Sequence, residues 1–303
     1  MLHIHQLTKS FNKGKTHAVR GVDFHVRKGE IYGIIGPDGA GKTTLLRMLA
    51  SLLLPDSGTA TVCGYDVVKQ PHEIHQVMGY MPGRFALYAD LSVEENLQFF
   101  AALYHTTVAA NYSWIADIYE QIAPFKDRKA GKLSGGMKQK LALSCTLVHA
   151  PQVLLLDEPT TGVDPVSRKE FRETLMRLKR EGLTVVVSTP YMDEALQCDR
   201  IALMQEGRFL QVDTPQQIIA RYQSILWAVS SNQMHRLLTD LRAWSDVISA
   251  FSFGENIHVE VRREAEPDAL CAYLEQRGHR DITVVPIAAT IEDCFMKLIQ
   301  QNE

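Results

Sequence analysis

The sequence predicts an α/β chain in two parts: a large domain with a parallel sheet over residues 1–220 and a small α+β domain over residues 221–303. Three observations carry the prediction. Residues 31–54, IYGIIGPDGAGKTTLLRMLASLLL, pass from a short apolar strand through a glycine-rich loop into an apolar helix. Residues 153–156, VLLL, and 185–187, VVV, are unbroken apolar runs of the kind buried on both faces of a parallel sheet. Beyond residue 222 the pattern changes to strand, helix, two strands, helix and strand, with one more helix at the end.

Bulk properties narrow the partners. The chain has 303 residues, 46% hydrophobic and 22% charged, an ordinary globular composition that fits one large domain and one small one. A formal net charge of -3 supplies no basic field, so no nucleic-acid partner is expected. Cys63, Cys145, Cys198, Cys271 and Cys294 are scattered and lack paired metal spacing, which fits buried thiols in a reducing cytoplasm. The opening MLHIHQLTKSF lacks the apolar core, roughly 7–15 residues long, of a signal peptide. No apolar run approaches the roughly 18 residues of a membrane helix, so membrane work would need another chain to span the bilayer.

The glycine loop is the first element that carries chemistry. Residues 36–43 read G-x-x-x-x-G-K-T between a strand and a helix, the context of a P-loop. Gly36, Gly39 and Gly41 let the backbone bend so that successive N–H groups face phosphate oxygens. Pro37, Asp38, Ala40 and Thr44 complete the expected nucleotide-binding stretch. Lys42 is expected to bridge the β- and γ-phosphates, and Thr43 to ligate Mg²⁺ through its hydroxyl. The helix adds its N-terminal dipole and is expected to run to Leu54, stopping before Pro55.

The next elements supply carboxylates and a second anion cradle. Asp157 ends the strand in VLLLDEP, where open α/β sheets bind ligands, and a carboxylate there can hold Mg²⁺. Glu158 follows it and can polarise an attacking water. In LSGGMKQK, residues 133–140, Ser134 with the N–H groups of Gly135 and Gly136 opens a helix whose buried face includes Leu141, Leu143, Cys145 and Leu147. The plain alternative is a capping turn with no ligand. One nucleotide does not need two cradles in one chain, so a head-to-tail dimer, with this cradle over the partner's nucleotide, is the simple solution.

At this point the sequence resembles the ATP-binding subunit of an ABC transporter. GPDGAGKTT, LSGGMKQK, VLLLDEPTTGVDP and VVVSTPYMDEALQCDRI stand in that family's order and spacing over residues 1–220. The stretches LSGGMKQKLAL and PTTGVDPVSRKEF resemble bacterial exporters of the type-two permease class, including tandem-cassette ATPases linked to drug efflux. The resemblance implies a P-loop NTPase cassette, a RecA-like core with an antiparallel β edge and a helical subdomain at 84–150. It implies ATP and Mg²⁺, hydrolysis assisted by Glu158, and adenine stacking on Phe11. It also implies that Asp164 communicates across a dimer with a second cassette, identical or not, and that a separate multi-span permease binds on the inner face of the membrane.

Two positions depart from the family pattern. Where the family has a glutamine after the strand near residue 80, this chain has Gly83, and where it has a histidine after VVVST, this chain has Pro190. Glycine has no side chain to ligate with, and proline has neither a titratable group nor an N–H. ATP binding is expected to survive and turnover at the chain's own P-loop to be slow. A partner with a complete P-loop could use the unaltered Ser134, Gly135 and Gly136, making an asymmetric pair. The alternative is a homodimer in which other groups substitute for the missing two.

The remaining stretches read as follows. Residues 83–133 look helical, with Ser92 and Glu95 as a capping box and Leu97, Phe100, Ala101 and Tyr104 at helical spacing. The resemblance places Phe85, Leu87 and Tyr88 near a permease-facing surface. The C-terminal βαββαβ order is ferredoxin-like and carries no catalytic constellation; it is expected to dimerise or regulate. A soluble non-transport ABC ATPase is the alternative class, and half of a tandem cassette is a variant of the transporter reading.

Overall fold

The computed structural model of the chain describes residues 1–84 and 87–302. The chain divides into two compact units, Met1–Pro215 and a second beginning at Gln216. In chain order the first unit holds β1 (Leu2–Phe11), β2 (Thr16–Val26), β3 (Ile31–Ile35), α1 (Lys42–Leu49), β4 (Ser57–Val62), β5 (Tyr65–Asp66), α2 (Pro71–Val77) and β6 (Met78–Met81). It continues with α3 (Val93–Leu103), α4 (Tyr112–Tyr119), α5 (Gly135–Leu147), β7 (Val153–Asp157), α6 (Pro165–Arg180), β8 (Thr184–Thr189), β9 (Arg200–Gln205) and β10 (Arg208–Asp213).

The central sheet has the order β10-β9-β3-β8-β7-β6 and is parallel except at β10. Every residue of β3, β7 and β8 is buried, which is why these strands read as unbroken apolar runs rather than alternating ones. Ile35 pairs with Thr189 and Asp157 with Ser188, so the C-terminal ends of β3, β8 and β7 lie in one row. That row positions the site.

A second, antiparallel sheet has the order β2-β1-β4-β5. In β1, Leu2 and Ile4 face the core while His3 and His5 face solvent. Strict alternation would then turn Leu7 outward. A register shift between Ile4 and Leu7, with Gln6 at φ +46°, absorbs one residue and returns Leu7 to the core. There Leu2, Leu7, Val22 and Phe24 join Tyr32, Ile34, Leu45 and Leu49 in one apolar cluster.

Helix α1 ends at Leu49, five residues before the expected stop at Leu54. Ser51 takes the left-handed conformation at φ +56°, its N–H bonds Met48 O, and the Leu52 N–H bonds Arg47 O. This pattern satisfies the last carbonyls and stops the helix without glycine or proline.

The stretch expected to be helical from 83 to 133 is only partly so. It holds α3, α4 and two short 3-10 turns at Ala123–Phe125 and Ala130–Lys132. Ser92 and Glu95 form the capping box of α3, with Leu97 and Ala101 buried. Phe85 lies outside the described residues; Tyr88 is exposed and packs edge-on against the exposed Phe99. After Pro190 the chain forms a 3-10 helix, Met192–Gln197.

The second unit contains β11 (Ile225–Ser230), α8 (Met234–Arg242), β12 (Val247–Phe253), β13 (Asn256–Val261), α9 (Pro267–Gln276), β14 (Thr283–Ile287) and α10 (Ile291–Asn302), preceded by the short α7 (Pro215–Ala220). Its sheet is fully antiparallel, in the order β12-β13-β11-β14. On β13, Ile257, Val259 and Val261 enter a core with Leu237 and Leu241 of α8 and Leu270 and Leu274 of α9. The alternate residues His258 and Glu260 meet Asp293 and Lys297 of α10, each at 2.7 Å. The buried His279 bonds Ser231 and Asp240, as a paired core histidine does.

Candidate active site

The loop after β3 is shaped by contacts that only glycine permits. A Cβ on Gly36 would lie 2.1 Å from Met204 O, and one on Gly41, at φ +105°, would lie 2.1 Å from Ala18 O. Gly41 caps α1 with no side-chain bond, and no acidic residue lies in the first turn. Among the described residues the first N–H groups of α1 therefore meet no side-chain acceptor, the arrangement that receives an anion.

Six side chains, from α1, β6, β8 and the end of β7, converge beside this loop. Lys42, 3% exposed, donates to Gly36 O at 2.8 Å and Pro37 O at 2.9 Å, and pairs with Glu158 Oε1 at 3.0 Å. Three acceptors use its three protons. Thr43 Oγ1 donates to Asp157 Oδ1 at 3.0 Å. Ser188 Oγ donates to the same oxygen at 2.8 Å, and Tyr80 OH lies 3.5 Å from Asp157 Oδ2. Burial, and then the Asp157 charge, push the Tyr80 phenol up, so it stays protonated as a donor. Glu158 sits at φ +49°, and its N–H donates to both Ser188 O and Ser188 Oγ, at 3.0 and 3.1 Å.

The arrangement suits phosphoryl chemistry. An uncapped helix start and a buried ammonium can hold phosphates. The hydroxyl and carboxylate oxygens at Thr43 and Asp157 are the hard donors that Mg²⁺ prefers, and a carboxylate stands beside them.

The sequence matches the ABC transporter family (ABC_tran) over residues 19–161. It is 35% identical over 294 residues to the Nod factor export ATP-binding protein I of Burkholderia orbicola (strain AU 1054), covering 94% of this chain and 93% of that protein. The chain belongs to the ABC transporter ATP-binding protein family. It is also 41% identical over 297 residues to the probable multidrug ABC transporter ATP-binding protein YbhF of Escherichia coli (strain K12), covering 97% of this chain but 51% of that protein. The chain thus spans about half the length of that relative. Among solved structures, cbiO1 from Clostridium perfringens, part of the ABC transporter complex cbiONQ, superposes with a TM-score of 0.64 at 27% identity, over 73% of this chain and 90% of that one.

Other positions singled out in this cassette stand apart from the cluster. Phe11 ends β1 as a residue 39% exposed, with the Lys9 ammonium 5.8 Å from its ring centre. Asp38 is exposed at the tip of the glycine loop. Ser134 caps α5, its Oγ accepting from the Met137 N–H at 3.3 Å, and a Cβ on Gly136 would meet Ser167 Oγ at 2.6 Å. Asp164 caps α6 through the Ser167 N–H at 3.0 Å, which holds its carboxyl below the usual range. The hydrogen bonds that join Lys42, Thr43, Asp157 and Glu158 do not extend to these residues.

The two departures have structural counterparts. A Cβ on Gly83 would lie 2.9 Å from Asp157 O, so the loop runs too close to β7 for a side chain at this position. A cavity of about 300 Å³ opens beside it, with Tyr80, Phe100, Gln139 and Glu158 among its lining. Pro190 directly follows β8, and the Thr189 hydroxyl accepts from the Tyr191 N–H at 3.0 Å. Sequence reasoning missed the roles of Ser188 and Tyr80. The signal for Ser188 was a polar residue closing an apolar strand beside the strand that ends in Asp157.

No helix among the described residues is long and apolar enough to cross a membrane.

Proposed function

We propose that this chain binds MgATP at its P-loop and hydrolyses it slowly, as the energising subunit of a membrane exporter. The convergence of Lys42, Thr43, Asp157 and Glu158 at the ends of β3 and β7 carries this reading. The backbone N–H groups of residues 36–43 and the start of α1 cradle the phosphates, Lys42 neutralises them, and Phe11 stacks on the adenine. Thr43 and Asp157 would hold Mg²⁺, which supplies positive charge to the phosphate oxygens when bound. Glu158 accepts a proton from the water whose oxygen attacks the γ-phosphorus, and ADP leaves with the electron pair of the broken P–O bond.

Gly83 and Pro190 bring no polar side chain to the γ-phosphate end. Losing one preorganised group of this kind typically costs about 10²–10³ in rate, and two such losses need not add. A second cassette is read as the partner, with Ser134, Gly135 and Gly136 facing its nucleotide. A separate permease does the spanning and selects the substrate. The names of the relatives, multidrug and Nod factor export among them, point to efflux, and the chain is read as working on the inner face of the membrane. The unit from Gln216 is assigned to dimerisation or regulation.

The test is Mg²⁺-dependent ATP binding and steady-state turnover on the purified chain, with Glu158→Gln as control. Tight binding with turnover barely above the control is expected. Brisk turnover abolished by the control would refute the slow site, and absence of binding would refute the nucleotide site.

A further inference from the structure

We infer that Ser188 is a positioning residue that ties the metal-binding carboxylate to the water-activating one. The inference rests on the MgATP reading above. Ser188 is completely buried at the end of β8, between β3 and β7. A hydroxyl carries one proton and two lone pairs. Here the proton goes to Asp157 Oδ1 at 2.8 Å, and a lone pair accepts the Glu158 N–H at 3.1 Å. The Ser188 carbonyl accepts that same N–H at 3.0 Å. Both partners of this one side chain therefore belong to the acidic pair.

Two physical arguments make this more than core packing. A hydroxyl closing the apolar run Val185, Val186, Val187 costs stability unless it is hydrogen-bonded, and a fourth valine would fill the same strand without that cost. Glu158 holds a left-handed φ of +49°, a strained backbone for a residue with a side chain. Its shared N–H bond to Ser188 holds that conformation and so sets where the carboxylate points.

The neighbours explain why the tie matters in this chain. Asp157 Oδ1 receives Thr43 as well as Ser188, and Oδ2 faces Tyr80. If the Thr43 hydroxyl oxygen is to face a cation, it must give up its bond to Asp157, and Ser188 then keeps the carboxylate aimed. Gly83 and Pro190, the nearby positions without polar side chains, have nothing to substitute for it.

The experiment titrates Mg²⁺ into the full chain with a fluorescent, non-hydrolysable ATP analogue, for wild type, Ser188→Ala, Ser188→Cys and Ser188→Thr. A hydrogen bond to a charged group supports about a tenfold shift. The Mg²⁺ midpoint of Ser188→Ala is expected to rise about tenfold, while analogue binding in EDTA stays within about twofold. Ser188→Thr, which keeps the hydroxyl, should return the midpoint toward wild type. Ser188→Cys keeps the size with a weak donor, and gives the same comparison should the alanine variant not fold. Equal Mg²⁺ midpoints in wild type and the folded variants would overturn the inference, as would a loss of EDTA binding equal to the loss in Mg²⁺. A wild-type chain that binds no analogue would instead overturn the nucleotide reading.

Discussion

Glu158→Gln is expected to tighten nucleotide binding before any chemistry occurs. Lys42 donates its three protons to Gly36 O, Pro37 O and Glu158 Oε1. A phosphate gains the ammonium only by displacing one of these, and Glu158 is the charged one. At 3.0 Å and an effective dielectric of about 20, the gross attraction is about 5.5 kcal/mol, most of it offset by desolvation of a lysine only 3% exposed. Glutamine keeps an acceptor oxygen but loses the charge. The difference between a charge-assisted and a neutral hydrogen bond is about 1 kcal/mol, or about fivefold in affinity. The assay is equilibrium binding of ADP and of a non-hydrolysable ATP analogue to both proteins. The ADP arm decides the cause, because relief of repulsion between Glu158 and a γ-phosphate would tighten the analogue alone. Unchanged ADP affinity would refute the displacement argument.

Two further outcomes follow from particular contacts. Gly83→Gln places a Cβ 2.9 Å from Asp157 O, so it should cost about 1–3 kcal/mol in urea denaturation and leave ATP turnover unrestored; a fully stable variant with turnover raised tenfold would show that the loop accepts a side chain. His149 stacks on Tyr104 and bonds Met78 O, its Nδ1 has no partner among the described residues, and burial lowers its pKa from 6.5 to about 4. The unfolded chain therefore takes up a proton that the folded chain refuses, so this contribution is complete above pH 6.5 and is lost as pH falls toward 4. Wild type should lose about 2 kcal/mol more than His149→Gln between pH 7.5 and pH 5 by chemical denaturation, and parallel losses would refute the assignment.

Legibility divides along the range of the interaction. The glycine loop between β3 and α1 was readable because strand, turn and helix are contiguous, and each residue's local geometry dictates its type. The capping box of α3 and the element order of the second unit were readable for the same reason. The end of α1 was not: Ser51 accepts a left-handed conformation that glycine normally advertises, so no residue marked the stop. Residues 83–133 read as more helical than they are, because apolar spacing alone does not show where a chain turns.

By itself, then, the sequence determined the family, the strand, glycine-rich loop and helix start of residues 31–43, the place of Asp157 and Glu158 at the end of an apolar strand, and the positions where Gly83 and Pro190 offer no polar side chain. Tertiary structure alone decided that Lys42 is paired with Glu158, that Gly83 lies against the Asp157 carbonyl, and that Ser188 bonds both acidic residues. Those contacts join residues 30 to 116 positions apart, through a strand order that no local pattern encodes.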